Sequence, residues 1–549
     1  MKRRFLVTGA LPYANNRPHI GHVAGVYLPA DVYVRYLRMR GDDVLFVCGS
    51  DDHGVPVTIS AQKEGLSPPA IVERYNRAQR SAFASLGIEF DIYSGTSTCP
   101  HHVAASQDFF RRIHEAGDIV PRETEQFYCL TCNRYLPDRY VEGTCPRCRT
   151  AGARGDQCDH CGESYEQTLL IDPYCATCKS VPEIRRTTHW FLRLDRYQER
   201  LVEYLSGRKG WRETVRNFAL GLVKQGLPER SITRDLDWGV PVPLPEAEGK
   251  VLYVWFDAPI GYLSFTQELF AARGEPEGWR RYWEDPTSRI VHFIGKDNTI
   301  FHAVIWPAML IGHGGLDLPF DVPANEHLHL GGAKISKSTG NAVWAEDLVA
   351  EYGSDRVRYY LTAIAPEGRD TTFTYEDFIQ RNNEVLSDVL GNLCHRVFTF
   401  AERYFDSRVP TGVAGDATAA GLYAHIAQAR DRWLELIEAI RLRDAQWAVI
   451  DLAREGNRYF DAAQPWKTRK EDLTRCAVDI GACLELVHAL AVLLHPFMPE
   501  VAAKLLGSFG REGQPTDALL GALGTPTLAP GSAIFPPGVL FPRLEVAPE

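Results

Sequence analysis

The sequence lacks long apolar runs, low-complexity tracts and internal repeats other than a set of cysteine pairs. No stretch reaches the roughly 18 apolar residues that cross a bilayer, and 45% hydrophobic with 24% charged residues is typical of a folded globular chain. Basic residues 2–4 precede an apolar stretch as in a signal peptide, but Thr8, Gly9 and Pro12 interrupt it and a small-residue cleavage site is missing. We therefore expect a cytoplasmic protein with no membrane partner.

A positive net charge is also missing. The formal charge of -10 argues against a surface that is basic throughout, but it leaves room for a local basic face that binds nucleic acid. One hydrophobic core rarely serves a chain of 549 residues, so the length predicts about three to four domains of roughly 100–200 residues each.

The first part of the chain shows the order strand, loop, helix, strand. An apolar run at 5–9 precedes a helical pattern that opens near His19, is interrupted at Pro29 and closes at Gly41, and a second apolar run covers 44–48. This order predicts a doubly wound α/β domain with a parallel sheet. Ligands of such sheets bind outside the carboxyl ends of the strands, so the loops after these two strands are expected to face one pocket.

A cysteine-rich stretch at about 120–185 interrupts this pattern and predicts a small insertion held together by metal. The α/β pattern then resumes, since 251–256 and 290–295 read as buried strands, the second leading into a helix at about 298–310. From about 380 the pattern is helical and predicts a helical bundle. Two of its helices are expected at 426–440 and 477–494.

Eight of the thirteen cysteines form four Cys-x-x-Cys pairs. Each pair supplies half of a tetrahedral thiolate site, so the spacing predicts two structural zinc ions rather than free thiols. Sites with four cysteines keep no open position for water, so these metals should stabilise the insertion and perform no chemistry. Consecutive pairing and a nested arrangement both satisfy the ligand count. The pairs are Cys129/Cys132, Cys145/Cys148, Cys158/Cys161 and Cys175/Cys178.

Two motifs suggest a site for a nucleoside triphosphate. In His19-Ile20-Gly21-His22, two imidazoles flank a glycine at the start of a helix, where helix amides and ring donors would face phosphates. In Lys334-Ile335-Ser336-Lys337-Ser338, two lysines lie in a glycine-flanked loop suited to stabilising charge on pyrophosphate. Each motif alone is more often a helix cap or a surface turn, but their order along the chain favours the phosphate interpretation.

Together these motifs resemble the signature pair of class I aminoacyl-tRNA synthetases. Further stretches resemble the methionyl-tRNA synthetase family, and the resemblance extends over nearly the whole chain. These stretches are 11–15, 253–262, 293–297, 301–302 and 306–310. The resemblance implies a split Rossmann-type catalytic domain with a zinc-binding connective-peptide insertion, followed by an α-helical bundle that binds the anticodon. The expected bounds are 1–116 and 236–325 for the two catalytic halves, 117–235 for the insertion, 326–380 for the lysine-loop and stem-contact region, and 381–549 for the bundle.

The same resemblance implies an enzyme that activates L-methionine with ATP and transfers it to the 3′ terminal adenosine of tRNA(Met), releasing AMP and pyrophosphate. Asp51 would hold the α-ammonium group, while the Leu11 amide and the Tyr13 phenol would meet the sulfur. The other methionine-binding positions are Trp255, Ala258, Pro259, Tyr262 and His302. The catalytic positions are His19, His22, Lys334 and Lys337, and ATP would also contact Gly21 and Ser336. Mg²⁺ would accompany ATP. Asn392, Arg396, Pro465 and Trp466 would read the anticodon CAU of initiator and elongator tRNA(Met).

Two positions depart from the family pattern: Ile335 replaces a common methionine of similar volume, and Asn298 replaces an apolar residue found in some relatives. The family also favours nested zinc sites, because some bacterial relatives keep only the inner four cysteines. A monomer is expected, because the chain ends soon after 541–543. Synthetases for leucine, isoleucine and valine need a larger editing insertion, which leaves a cysteine enzyme and a catalytically inactive zinc-containing RNA-binding paralogue as alternatives.

Overall fold

The structure is a computed structural model that describes residues 2–155, 158, 160–163, 165–331, 333–334, 342–411 and 419–545, with 138, 333 and 334 described by their backbone alone. Its first part alternates strands and helices. They are β1 (Arg4–Gly9), α1 (Ile20–His22), α2 (Leu28–Met39), β2 (Asp43–Ser50), α3 (Val55–Glu64), α4 (Pro68–Ser85), β3 (Ile92–Gly95) and α5 (His102–Glu115). β1 and β2 are almost wholly apolar, as strands covered on both faces of a parallel sheet must be.

The insertion that follows is built mainly from antiparallel strands, two of them long. They are β4 (Ile119–Cys129), β5 (Arg134–Tyr135), β6 (Val141–Thr144), β7 (Ala151–Arg154), β8 (Ile171–Cys175) and β9 (Glu183–Leu192), followed by α6 (Gln198–Gly207), α7 (Glu213–Lys224), β10 (Arg230–Ser231) and β11 (Thr233–Arg234). One sheet has the order β10-β9-β4-β5 and another the order β7-β6-β8. A small separate core, which includes four of the paired cysteines, lies between them.

The chain then returns to the main sheet. This part contains β12 (Val251–Leu252), α8 (Val254–Asp257), α9 (Ile260–Ala272), α10 (Arg280–Trp283), β13 (Ser288–Gly295), α11 (Trp306–His313), β14 (Ala324–Asn325), β15 (Leu328–Leu330), β16 (Ala333–Lys334), α12 (Ala345–Tyr352), α13 (Ser354–Ala363), β17 (Thr371–Phe373) and α14 (Tyr375–Arg381). The main sheet has the order β14-β13-β1-β2-β3, and all of its pairings are parallel. The predicted split parallel sheet is therefore confirmed.

The predicted strand at 251–256 is wrong in its second half. Only Val251–Leu252 forms a strand, paired with β11, while Val254–Asp257 turns into the short helix α8. An apolar run of this length cannot be told from a buried helical turn by periodicity alone. The helical turn places the Asp257 carboxylate against the buried His53 ring, with 2.6 Å between Oδ2 of Asp257 and Nδ1 of His53.

Pro29 does not interrupt the helix that starts at Ile20. A π-helical turn, Val23–Tyr27, joins α1 to α2 and widens the helix just before the proline. Proline in a helix leaves the carbonyl four residues earlier without a donor, and that carbonyl belongs to Gly25. The Asn325 side chain donates to it at 2.8 Å from Nδ2, so β14 supplies the missing hydrogen bond and the helix continues.

The last part of the chain is a helical bundle, as predicted. A π-helical segment, Asn382–Gly391, leads into α15 (Asn392–Tyr404), α16 (Ala420–Glu438), α17 (Leu442–Ala463), α18 (Pro465–Glu471), α19 (Leu473–Leu494), α20 (Pro499–Gly507) and α21 (Asp517–Ala522). Within the described residues, α19 is the one helix long and apolar enough to cross a membrane, but 94% of its most apolar window is buried inside the protein. It is the core helix of the bundle.

A buried charge cluster joins the bundle to α2. Arg358 on α13 is fully buried and lies 2.7 Å from Asp31 on α2, which Arg35 also contacts at 2.8 Å. Arg358 also donates to the carbonyls of Pro496 and Phe497 at the end of α19. Burial opposes ionisation of Asp31, but the two arginines hold the pKa of its carboxyl below the usual value. The cluster therefore fixes the bundle against the helix that begins at the paired histidines.

The substitution R358A should lower the free energy of unfolding by about 3–5 kcal/mol, because it leaves Asp31 buried beside a cavity with one partner fewer. Urea denaturation followed by tryptophan fluorescence measures this change. The matched control is R77A, since Arg77 forms an exposed ion pair with Glu73 and its loss should cost about 0.5 kcal/mol or less. Equal unfolding free energies for the two variants would contradict the prediction.

Candidate active site

A cavity of about 1050 Å³ opens where β1, β2 and β13 end. Its wall combines residues from the loop and helix after β1, the loop after β2, α8 and the start of α9, and the segment after β13. It brings together the predicted methionine-site residues and the histidine motif. They are Leu11, Tyr13, His19, Gly21, His22, Asp51, Trp255, Ala258, Pro259, Tyr262 and His302, with Asn298 also on the wall.

The two histidines of the motif cap the start of α1 for each other. The His22 amide donates to Nδ1 of His19 at 3.3 Å, and the His19 amide donates to Nδ1 of His22 at 3.4 Å. The rings stack with 3.6 Å between centroids. Because Nδ1 accepts in both rings, the proton of each neutral imidazole lies on Nε2. The pair thus presents donors at a helix N-terminus, where anions are stabilised.

Asp51 is held rigidly at the cavity wall. Its amide donates to the Pro12 carbonyl at 2.8 Å and its carbonyl accepts from the Ala14 amide at 2.9 Å, which ties the loop after β2 to the loop after β1. Burial, with Asp257 and Asp52 nearby, raises the pKa of its carboxyl well above the usual value. Among the described residues Oδ1 is buried and has no hydrogen-bond partner. A cationic group of a ligand would satisfy this oxygen.

The opposite part of the wall is aromatic and uncharged. Trp255 Nε1 donates to the Tyr13 hydroxyl at 2.6 Å. His302 Nδ1 lies 3.2 Å from the Asn298 carbonyl, which can only accept, so Nε2 of the neutral ring accepts from the Tyr262 hydroxyl at 2.8 Å. Burial lowers the pKa of His302 to about 4, and the ring is therefore neutral at pH 7. Such a wall suits an apolar side chain with a weak acceptor.

Only the first residue of the lysine motif lies within the described part of the chain. Ser336 and Lys337 lie outside the described residues, and Lys334 is described by its backbone, which pairs with His329 of β15. After the motif, the Val343 carbonyl accepts from the Ile20 amide at 3.0 Å and Trp344 forms a β-bridge with His19. The segments on both sides of the motif thus lie next to the cavity, because Leu328 at the start of β15 is part of its wall.

The paired cysteines form two nested clusters. Cys129, Cys132, Cys175 and Cys178 make the outer cluster, and Cys145, Cys148, Cys158 and Cys161 make the inner one. Sulfur–sulfur distances are 3.4 Å for Cys129–Cys178 and 3.8 Å for Cys132–Cys175 in the outer cluster, and 3.9 Å for Cys145–Cys161 and 3.7 Å for Cys148–Cys158 in the inner one. Tetrahedral zinc with Zn–S bonds of about 2.3 Å requires about 3.8 Å. The donor set and its spacing therefore fit zinc, and consecutive pairing is wrong.

The predicted anticodon readers lie together on the bundle. Arg396 on α15 stacks over the Phe460 ring at 4.4 Å and forms an ion pair with Asp461. The Trp466 ring lies 6.4 Å from the same phenylalanine and is 44% exposed. Asn392 is exposed one turn before Arg396, and Pro465 is buried. The cluster offers an aromatic surface beside polar groups, which is how single-stranded RNA bases are bound.

Sequence reasoning missed two buried residues beside the cavity, His53 and Asp257. His53 follows Asp51 by two residues, and Asp257 lies between the wall residues Trp255 and Ala258. The available signals are a histidine three residues after the end of β2 and a carboxylate inside an apolar run. A strand assignment for that run conceals the second signal, because it does not bring the carboxylate to the histidine.

Comparison with known proteins agrees with this geometry. Residues 5–398 match the family described as tRNA synthetases class I (M), and residues 409–547 match the anticodon binding domain of methionyl tRNA ligase. Methionine–tRNA ligases of Pyrococcus furiosus and Rubrobacter xylanophilus are each 45% identical, over 91% and 92% of this chain and 71% and 90% of their own. The Mycobacterium tuberculosis methionyl-tRNA synthetase in complex with methionyl-adenylate has a TM-score of 0.82 at 30% identity, covering 99% of this chain and all of that chain.

The split parallel sheet and the histidine pair at its edge, together with the first family match, are those of a class I aminoacyl-tRNA synthetase. The helical bundle matches the anticodon binding domain of methionyl tRNA ligase, which narrows the class to synthetases for methionine. The chain belongs to the methionyl-tRNA synthetase family, the ligases that join methionine to tRNA.

Proposed function

We propose that the cavity is the site where this ligase forms and uses methionyl-adenylate. The methionine carboxylate attacks the α-phosphate of ATP and pyrophosphate leaves; the 2′-hydroxyl of the terminal adenosine of tRNA(Met) then attacks the adenylate and AMP leaves. The observation that carries this assignment is that an unpaired buried carboxyl oxygen, a neutral aromatic wall and two imidazole donors line one cavity. They match the ammonium, the thioether and the phosphates of the substrates.

Methionine is oriented by its two ends. The α-ammonium group binds Asp51 and donates to the buried Oδ1, which has no hydrogen-bond partner in the described part of the chain. At the other end, the Tyr13 oxygen already accepts from the Trp255 indole, so its own proton points away and donates to the sulfur together with the Leu11 amide. Ala258, Pro259, Tyr262 and His302 complete the apolar wall.

ATP is held by its phosphates. The Nε2–H groups of His19 and His22 stabilise the charge that develops at the reacting phosphate, and Gly21 lets the nucleotide approach the backbone. By family resemblance, the pyrophosphate is bound by Lys334, Ser336 and Lys337. Mg²⁺ binds together with ATP. Positioning and electrostatic stabilisation account for catalysis of this kind, since the protein forms no covalent bond with the substrate.

The remaining assignments complete the proposal. The two cysteine clusters hold zinc, which stabilises the insertion. The bundle residues Asn392, Arg396, Pro465 and Trp466 read the anticodon CAU of initiator and elongator tRNA(Met). The enzyme acts in the cytoplasm as a monomer, with the domain bounds expected from the sequence.

The proposed function predicts ATP–pyrophosphate exchange with methionine alone among the twenty amino acids. D51N should raise the KM for methionine by about 10- to 100-fold, because a hydrogen bond to a charged group contributes about 1.5–3 kcal/mol, and should leave the KM for ATP within about threefold. The exchange assay with Mg²⁺ measures both effects.

The control for D51N is D388N, which removes an exposed carboxylate that pairs with Arg543 and should leave exchange unchanged. The raised pKa of Asp51 means that its contribution to stability is present at low pH and lost as the pH rises through the folded-state pKa. D51N should therefore be no less stable than wild type at neutral pH. Folded, zinc-replete wild-type protein without methionine-dependent exchange would instead favour the inactive paralogue.

Zinc analysis by mass spectrometry should find two ions per chain. The double variant C132S/C178S removes two ligands of the outer cluster and should retain one zinc ion, because the inner site keeps all four thiolates. C394S is the matched control, since Cys394 is a buried cysteine of the bundle, and should retain both ions. Loss of both ions from C132S/C178S would mean that each site had lost a ligand, against the nested arrangement.

W466A should lower kcat/KM for tRNA(Met) by about 10- to 100-fold, because stacking on an aromatic ring contributes about 1–3 kcal/mol per base. Exchange, which needs no tRNA, should be unchanged. F535A is the control, since Phe535 is exposed to a similar degree but outside the Phe460 cluster. Equal aminoacylation by W466A and wild type would remove Trp466 from the anticodon site.

A further inference from the structure

Three carboxyl groups are buried on one side of the cavity. They belong to Asp51, Asp52 and Asp257, of which Asp52 and Asp257 are completely buried. Among the described residues, no lysine or arginine forms an ion pair with any of them. Asp52 accepts from the hydroxyls of Ser50 and Ser97 at 2.5 and 2.8 Å. Burying carboxylates without counter-ions costs free energy, and a cationic group close to them offsets part of that cost.

That group is the His53 imidazole. Its Nδ1 lies 2.6 Å from Oδ2 of Asp257, and the histidine is 5% exposed. Although burial opposes the charged form of each, Asp257 raises the pKa of His53, and His53 lowers the pKa of Asp257. His102 also faces Asp257, with its Nε2 3.7 Å from the same oxygen and its Nδ1 3.0 Å from the Ser264 hydroxyl oxygen.

The pair connects two walls of the cavity that are distant in sequence. His53 belongs to the loop after β2 and follows Asp51 by two residues. Asp257 ends α8, between the wall residues Trp255 and Ala258. The hydrogen bond of the pair therefore fixes the wall proposed to bind the ammonium group relative to the wall proposed to bind the methionine side chain.

We propose that His53 is a positioning residue for the methionine subsite: it is the counter-ion of Asp257, and through that bond it sets the distance between Asp51 and the Trp255 wall. The inference rests on the proposed function. The same pairing explains why the ammonium group binds Asp51: the charge of Asp257 is balanced by His53, so Asp51 is the carboxylate left for the substrate.

Replacing His53 by glutamine would remove this counter-ion. Asp257 would then repel Asp51, whose pKa it and Asp52 already raise after the effect of burial. Asp51 would take up a proton at higher pH than in the wild type, and a protonated carboxyl binds an ammonium group poorly. The affinity for methionine should therefore fall, and fall further as the pH decreases.

The test is ATP–pyrophosphate exchange by wild type, H53Q and the double variant H53Q/D257N between about pH 6 and pH 8.5. H53Q should raise the KM for methionine by about tenfold or more, increasingly so at lower pH, with the KM for ATP changed by about threefold or less. H53Q/D257N removes the Asp257 charge together with its counter-ion and places two amides where the pair stood. It should return to within about threefold of wild type, with a flat pH profile.

The matched control is H488Q, a fully buried histidine of the bundle that bonds Thr527 at 2.8 Å, and its kinetic constants should not change. A KM for methionine within about threefold of wild type in H53Q would overturn the proposal. So would a double variant as impaired as H53Q, since that result indicates packing rather than charge.

Circular dichroism shows first whether each variant folds. If H53Q does not fold, the decision passes to H53Q/D257N: a folded double variant with a near-normal KM for methionine supports the proposal, and an unfolded or strongly impaired one overturns it. Failure of the proposed function would appear differently, as wild type and H488Q without methionine-dependent exchange. Normal exchange by all four proteins would sink only the role of His53.

Discussion

The parallel direction of β1, β2 and β13 determines where the functional groups stand. Because β1 lies between the other two and all three run the same way, the loops after them meet at one edge of the sheet. The insertion between β3 and β13 leaves the parallel pairing of β1 with β13 in place, and its cysteine-rich part packs around a separate small core. Each of these loops contributes to the wall of the cavity, which α3 and the insertion complete.

Burial then sets the charge balance of that cavity. The His302 side is kept neutral because removing the ring from water disfavours its charged form. On the other side, Oδ1 of Asp51 has no hydrogen-bond partner among the described residues, while Oδ2 of Asp257 is paired with His53. This division fits the proposed substrate, which has an apolar arm and a single ammonium group, and the helix start with its two imidazoles fits the proposed position of the phosphates.

Much of this could be predicted where a local pattern has one physical meaning. The structure confirms three such predictions: the strand that ends at Gly9, the helix that begins after His19, and the clustering of the four cysteine pairs. The turn at Val254–Asp257 could not be predicted, because an apolar run is compatible with a buried strand or a buried helix and the choice depends on a distant histidine. The nesting of the cysteines and the rescue of Gly25 by Asn325 likewise depend on contacts between distant segments.

The most direct test of the account is a crystal structure of the protein with a non-hydrolysable methionyl-adenylate analogue. The account predicts the α-ammonium nitrogen within about 3.2 Å of an Asp51 carboxyl oxygen, the methyl-thioether arm against Trp255 and Tyr262, and the phosphate mimic beside Nε2 of His19 or His22. An analogue bound outside this cavity, or bound in it with the ammonium group away from Asp51, would contradict the account.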